Sequence, residues 1–187
     1  YDMNDEEIQT IYLTPIGQSA EQIFDMVRMF VQEGNIGLVI FDSLTAIAPQ
    51  QTNDESFEKK DMGGLAKPLA DFVKRCTGLF NRHRTTFIGI NENISGYGNP
   101  ETTAGGTYWK RACSLRLKAK RGAFFDDDWN ELKSTAENPA GHIIETALLK
   151  SKFCRSDRKL GRCHLHYRKG VDLLWDTIEI ATNFGLI

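Results

Sequence analysis

The chain has 187 residues, of which 41% are hydrophobic and 26% are charged, so it holds enough apolar material for a domain with a real core. The formal net charge is −2, which excludes a protein-wide positive field for nucleic acid, and DNA binding would need local basic clusters or assembly. The sequence contains no apolar run of membrane-spanning length and no recognisable signal peptide, so we expect no contact with a membrane.

The first predicted element is an amphipathic helix that is capped by Ser19 and Gln22 and ends at Gly34. Its apolar residues follow helical spacing at positions 23, 26, 27, 30 and 31. The apolar run 38–41 follows and ends in Asp42 and Ser43. An apolar strand that ends in an acid is typical of a buried parallel strand that delivers a carboxylate to the metal ion of a nucleotide.

Residues 49–61 are polar and without periodicity, which predicts a mobile loop. A second helical pattern runs from Leu65 to Phe80, with Pro68 expected in the first turn. A strand over 86–91 follows. Helices that alternate with strands favour a parallel α/β sheet, whose ligands bind at the carboxyl ends of the strands.

The second half of the chain is predicted to contain further strands. Polar and apolar residues alternate over 114–119, residues 122–141 are expected to form an irregular surface excursion, and 142–149 and 162–168 form a predicted β-hairpin. Asp172 is expected to cap a last short helix.

The cysteines at positions 76, 113, 154 and 163 are predicted to be free thiols in a reducing compartment. The spacing Cys163-x-x-His166 matches no common zinc site, and a strand would point Cys163 and His164 to opposite faces. The sequence therefore disfavours a zinc site.

The stretch 98–106, which reads Gly-Asn-Pro-Glu-Thr-Thr-Ala-Gly-Gly, follows the second strand. It resembles the second DNA-binding loop of the RecA family of homologous-recombination proteins. Other segments match that family in order and spacing from about Ser19 to Ile187. The resemblance implies that 1–187 form a single, partial RecA-like P-loop NTPase core of α/β class. It further implies a mainly parallel central sheet flanked by helices, with a C-terminal β-hairpin.

The resemblance implies ATP and Mg²⁺ as cofactors of the complete protein. It places Asp42 at Mg²⁺, through water, with Ser43 beside it and Tyr167 near the adenine. Two of these residues have a plainer interpretation: Asp42 simply ends a strand, and Ser43 simply makes a turn.

Glu92 lies where the family places a polar sensor, usually Gln, that links the nucleotide to the DNA loop. A carboxylate donates no hydrogen bond and repels a γ-phosphate, so this departure puts the usual switch in doubt. Asn91 or Asn93 can supply the donor instead, and a solvated loop glutamate is the alternative interpretation of Glu92.

The resemblance also implies single-stranded DNA and homologous duplex DNA as partners, with DNA-binding loops at 49–64 and 93–106. Glycines let a backbone approach phosphates, and aligned lysines suit a phosphate track. A solvated helix face or a surface loop is the plainer alternative. The implied DNA-binding residues are Met62, Gly63, Lys67, Lys74, Tyr97, Asn99, Thr102, Thr103, Gly105, Gly106 and Arg111.

A Lys-x-Lys sequence at Lys150 and Lys152 matches residues that, in RecA-like filaments, reach into the ATP site of the neighbouring subunit. Lys110 and Arg116 join this implied interface set, and self-association into a helical filament follows from the resemblance. A basic strand end facing solvent is the alternative.

Three functions are compatible with these patterns. The first is part of a recombinase that promotes strand exchange in DNA recombination and repair in the bacterial cytoplasm, or phage-encoded and acting in the host cytoplasm. The second is another RecA-fold ATPase, such as a helicase or a repair motor. The third is a non-catalytic DNA-binding module that lost its ATP site.

The 187 residues contain no Gly-Lys dipeptide and hence no Gly-x-x-x-x-Gly-Lys-[Ser/Thr] loop. Although the resemblance implies a DNA-dependent ATPase for the complete protein, no catalytic residue is assignable here. We predict that this chain alone releases no phosphate from ATP above a buffer blank, with or without single-stranded DNA. A phosphate-release assay checks this, with a RecA protein that carries the loop as positive control, and sustained turnover would contradict it.

Overall fold

The computed structural model of the protein describes residues 11–14, 16–47, 64–94, 102–154, 160–183 and 185–186. The chain forms two compact units, Tyr1–Ala112 and Cys113–Ile187. Each unit is described by itself, and the single domain expected over 1–187 stays a prediction.

The described residues of the first unit form three helices and two short sheets. Its helices are α1 (Ala20–Gln32), α2 (Ala66–His83) and α3 (Gly106–Ala112), with a short 3₁₀ turn at Leu44–Ala46. Its strands are β1 (Leu38–Phe41), β2 (Thr86–Gly89), β3 (Asn93–Ile94) and β4 (Thr102–Thr103). β1 pairs with β2 in parallel, and β3 pairs with β4 antiparallel.

The predicted cap of α1 is confirmed. The backbone N–H of Gln22 donates to Ser19 Oγ at 3.4 Å, and the backbone N–H of Ser19 donates to Gln22 Oε1 at 2.9 Å. The two bonds satisfy amide groups that have no partner within the helix. Pro68 lies in the first turn of α2, as predicted, where its missing N–H costs nothing.

An aromatic core joins the two long helices to the parallel strands. Phe72 of α2 stacks on Phe24 of α1 with ring centroids 4.5 Å apart, and lies 5.3 Å from Phe87 of β2. Phe87 in turn meets the Trp109 ring of α3 edge-on at 6.1 Å. These contacts bury one face of each helix and fix the strands against them.

The second unit is mainly a five-stranded antiparallel sheet in the order β6–β5–β7–β8–β9. Its strands are β5 (Leu115–Phe125), β6 (Glu131–Leu132), β7 (Gly141–Ser151), β8 (Leu160–His166) and β9 (Gly170–Val171), followed by α4 (Leu173–Asn183). The predicted hairpin is confirmed as β7 and β8. Asp172 caps α4 as predicted, because its Oδ1 accepts the backbone N–H of Trp175 at 2.9 Å.

Two expectations about the sheets need correction. The mainly parallel central sheet is not confirmed, since parallel pairing within the described residues is limited to β1 and β2. The strands β5, β7 and β8 follow one another without the helical crossover that parallel neighbours require. The irregular excursion predicted over 122–141 is also too long: β5 continues to Phe125, β6 pairs back onto it, and β7 begins at Gly141. A break in register between Arg121 and Phe124 hides the alternation there.

No helix within the described ranges is long and apolar enough to cross a membrane.

Gly105 and Gly78 form a matched pair for testing this packing. Gly105 has φ +92, and a Cβ there would lie 2.5 Å from Leu69 Cδ2. Gly105→Ala is therefore expected to lower the free energy of unfolding by about 2–4 kcal/mol. Gly78 lies inside α2, where a Cβ would meet nothing within 4 Å. Gly78→Ala is therefore expected to raise the free energy of unfolding by about 0.5–1 kcal/mol. Urea unfolding measures both changes, and equal effects would contradict the described packing.

Candidate nucleotide and DNA sites

The register of β1 and β2 places polar residues at adjacent strand ends. Phe41 is paired with Gly89, the backbone N–H of Ile90 donates to the Phe41 carbonyl at 2.9 Å, and that of Leu44 donates to the Ile90 carbonyl at 2.8 Å. Asp42 and Ser43 thus lie beside the end of β2 that leads into Asn91. The expected edge, with an acid and an amide on neighbouring strands, is present.

The residues at this edge fit an outer-sphere magnesium site. Asp42 is exposed, and the Ser43 and Thr45 hydroxyls share a hydrogen bond of 2.9 Å. Mg²⁺ keeps several waters and takes only one or two carboxylates from a protein. Within the described ranges there is no cluster of three or more acidic, His or Cys ligands that would enclose a metal, and none is predicted.

Asn91 connects this edge to the second predicted DNA loop. Its Nδ2 donates to the Ala104 carbonyl at 3.0 Å, while its Oδ1 is buried without a hydrogen-bond partner among the described residues. Glu92, which was predicted to lie at the family's sensor position, is exposed. Asn91 therefore contacts this loop through its side-chain amide, while the choice between Asn91 and Asn93 as the donor of the nucleotide sensor stays a prediction.

The second loop, predicted over 93–106, has an ordered base. Asn93 pairs with Thr103 and Ile94 with Thr102, and α3 begins at Gly106. Gly105 is buried and Gly106 has φ +69, with the Ala66 Cβ 3.1 Å from where its own Cβ would lie. The packing against α2 thus explains both glycines. Tyr97 and Asn99 lie outside the described residues.

The predicted basic face of α2 is present, but its two lysines differ. Lys67 and Lys74 are both exposed. Lys74 Nζ lies 3.7 Å from Asp71 Oδ1 and 5.2 Å from the centroid of the Tyr108 ring. Lys74 is therefore already engaged by a carboxylate and an aromatic ring. Met62 and Gly63, with most of the 49–64 loop, lie outside the described residues.

In the second unit, three predicted interface cations lie together at one end of the β5–β7 pair. Arg116 is paired directly with Lys150, and the backbone N–H of Lys152 donates to the Ser114 carbonyl at 2.9 Å. Like charges opposite each other across strands are destabilising. Such a pair is expected where an anion binds. Lys110, half-buried, and Arg111, exposed, belong to α3 of the other unit.

The pKa of the Cys113 thiol is affected by this basic cluster. Burial raises the pKa of Cys113, while the charges of Arg116, Lys150 and Lys152 oppose the rise. Sequence reasoning assigned this thiol no role beside the cations, although Cys113 lies only three residues before Arg116.

Tyr167, predicted to lie near an adenine, is 52% exposed. Its hydroxyl is hydrogen-bonded to His142 Nδ1 at 3.1 Å, and the two ring centroids are 5.5 Å apart. The contact orients the phenol while the ring stays accessible for stacking.

The comparisons with known proteins identify the family of this chain. The family profile described as the RecA N-terminal domain matches residues 7–172. The chain is 28% identical to Protein RecA of Mycoplasma mobile over 173 residues, covering 90% of this chain and 50% of that protein. It is 32% identical to Protein RecA of Solidesulfovibrio magneticus over 172 residues, covering 89% and 46%.

A third relative, Protein RecA of Oleidesulfovibrio alaskensis, is 26% identical over 172 residues, covering 89% of this chain and 46% of the relative. The chain belongs to the RecA family. It spans about half the length of these curated relatives.

Removing the cations around Cys113 is expected to raise the pKa of its thiol further, because each favours the thiolate. Arg116→Ala should raise the Cys113 pKa most and Lys150→Ala less, because the charge of Arg116 lowers this pKa more than that of Lys150 does. Iodoacetamide alkylation at several pH values, resolved by mass spectrometry, measures the reactive fraction. Cys154, which is exposed, serves as the internal control. An unchanged alkylation profile of Cys113 in Arg116→Ala would contradict the described cluster.

Proposed function

We propose that this chain is part of a RecA-type recombinase that binds single-stranded DNA as an ATP-dependent filament and promotes homologous pairing and strand exchange. The observation that carries the proposal is the Asn91–Ala104 hydrogen bond, because it ties the acidic strand edge directly to the Asn-Pro-Glu-Thr-Thr loop. Membership of the RecA family supports the same function.

In this proposal, Asp42 and Ser43 hold a hydrated Mg²⁺ ion beside the nucleotide. The ion, when bound, neutralises charge on the phosphates. Asp42 would accept hydrogen bonds from the water shell of such an ion, and Oδ1 of Asn91, which is buried without a hydrogen-bond partner among the described residues, is an acceptor at the same edge. Tyr167 offers its exposed ring to the adenine.

Asn91 carries the coupling between nucleotide and DNA in place of Glu92. A change in the hydrogen bonding of Oδ1 reorients the amide, and Nδ2 transmits this to Ala104. Thr102 and Thr103 immediately precede Ala104 in the chain, so the loop backbone can shift with the state of the strand edge. The exposed Glu92 is not needed in this chain of contacts.

Assembly in this proposal depends on the basic cluster of the second unit. Arg116, Lys150 and Lys152 stabilise the phosphate charge of an ATP molecule held by the neighbouring subunit, which relieves their mutual repulsion. Lys110, which belongs to the first unit, is assigned to the subunit interface by the family resemblance alone. ATP thereby joins one subunit to the next.

Single-stranded DNA is expected to bind this chain in a salt-sensitive manner and more tightly than duplex DNA. Lys67→Ala should weaken binding more than Lys74→Ala, because Asp71 already neutralises Lys74. Each lysine that contacts a phosphate adds about 0.7 to the slope of log K against log salt for a single strand. Fluorescence anisotropy of a labelled oligonucleotide measures both the affinity and the slope.

The matched control is a double variant, Lys133→Ala with Lys169→Ala, which removes two exposed cations of the second unit. It has the same net charge as Lys67→Ala with Lys74→Ala. Equal loss of affinity in the two double variants would mean that only overall charge matters, and would contradict the proposed DNA face.

A further inference from the structure

A cleft of about 440 Å³ opens in the second unit, away from the predicted site residues. Its floor is formed by Ile143 and His164 of the sheet, and its sides by Trp129 and by Trp175 of α4. Phe125, Glu131, Arg162, Ile178 and Thr182 complete the lining.

The aromatic walls combine a left-handed backbone conformation at Trp129 with stacked rings. Trp129 has φ +65, a left-handed conformation that a bulky residue rarely adopts. Its ring stacks on Phe125 at a centroid distance of 4.7 Å and lies parallel to Trp175 at 5.8 Å, with 5° between the planes. Trp175 is 42% exposed, so the stack of three rings is open to solvent. Strained conformations of this kind persist where the surroundings impose them, and they cluster at binding sites.

The cleft lining contains one acid, Glu131, and one cation, Arg162, and further acidic residues lie close to the lining. Trp129 follows the run 126–128 of three aspartates, Glu131 lines the cleft, and Asp176 lies 3.7 Å from His164 Nδ1. Hydrogen bonds from Asn130 lower the pKa of Asp126, which keeps that carboxylate charged. This field disfavours phosphates and nucleic acid and favours a cation.

One polar atom in the cleft has no hydrogen-bond partner. His164 Nδ1 is buried and unpaired in hydrogen-bonding terms within the described part of the chain. The Asp176 carboxylate lies 3.7 Å from this nitrogen, and acidic groups beside aromatic rings suit a planar cation. A guanidinium has five N–H donors and no acceptor, and its plane stacks on aromatic rings.

We propose that this cleft binds the guanidinium group of an arginine side chain presented by a partner protein, stacked on the exposed ring of Trp175 at the open end of the aromatic stack and paired with Glu131. The chain already contains one arginine–glutamate pair of this kind in the cleft. An Arg162 guanidinium nitrogen lies 3.8 Å from Glu131 Oε1, with both side chains about half or more exposed, at 47% and 66%. A pair this exposed is weak and can be displaced by a better-placed arginine.

The three tryptophans of the chain allow a direct test. The indole N–H resonances of the ¹⁵N-labelled chain are followed while N-acetyl-arginine N-methylamide is added. The resonances of Trp129 and Trp175 should shift in a saturable way, with a dissociation constant on the order of millimolar. The Trp109 resonance, from the other unit, should not move. The citrulline analogue has the same shape as the arginine analogue but no charge, and it serves as the uncharged control. Guanidinium chloride shows how much of the shift the free ion causes without the rest of the side chain.

Glu131→Gln should weaken binding of the arginine analogue at least about fivefold, since it removes the paired charge. Glu131 is exposed, so this variant is expected to fold, and Glu137→Gln provides a matched control at another exposed acid. Absence of shifts at Trp129 and Trp175, equal shifts with citrulline, or unchanged affinity in Glu131→Gln would each overturn the proposal.

Discussion

The parallel register of β1 and β2 is the constraint on which the candidate site depends. Pairing Phe41 with Gly89 brings Asp42 beside the strand end that continues into Asn91, and Asn91 then fixes Ala104. The register is held by side chains on the inner face of the two strands, which pack on α1 and α2. A slip by one residue would turn the apolar side chains away from the helices. The chemistry at the edge and the packing of the core are therefore set by the same pairing.

The sequence predicted the elements whose periodicity is strong. The capped helix α1, the acid-terminated strand β1 and the β7–β8 hairpin were all expected, because apolar spacing and cap residues are local signals. The sheet arrangement was not expected. Strand direction depends on how the chain returns between strands, and a bulge near Arg121 removed the alternation that marks the end of β5. The link from Asn91 to Ala104 spans thirteen residues and has no local signature.

In the second unit, strand pairing brings together charged residues that are far apart in the sequence. Arg116 and Lys150 are 34 positions apart in the sequence, and their repulsion exists only because β5 and β7 place them opposite each other. The same unit carries acidic residues around its aromatic cleft. A net charge near zero therefore does not exclude a local cluster of cations in this unit.

The most direct test of the account is amide hydrogen exchange with and without single-stranded DNA. If the strand edge and its loop form the DNA face, peptides covering 64–74 and 102–112 should exchange more slowly when DNA is bound. In the absence of ATP, when the proposed filament does not form, peptides from the β5–β7 sheet should keep their rates, since the DNA face does not include them. Slower exchange confined to the second unit, with no change over 64–74 and 102–112, would contradict the central claim.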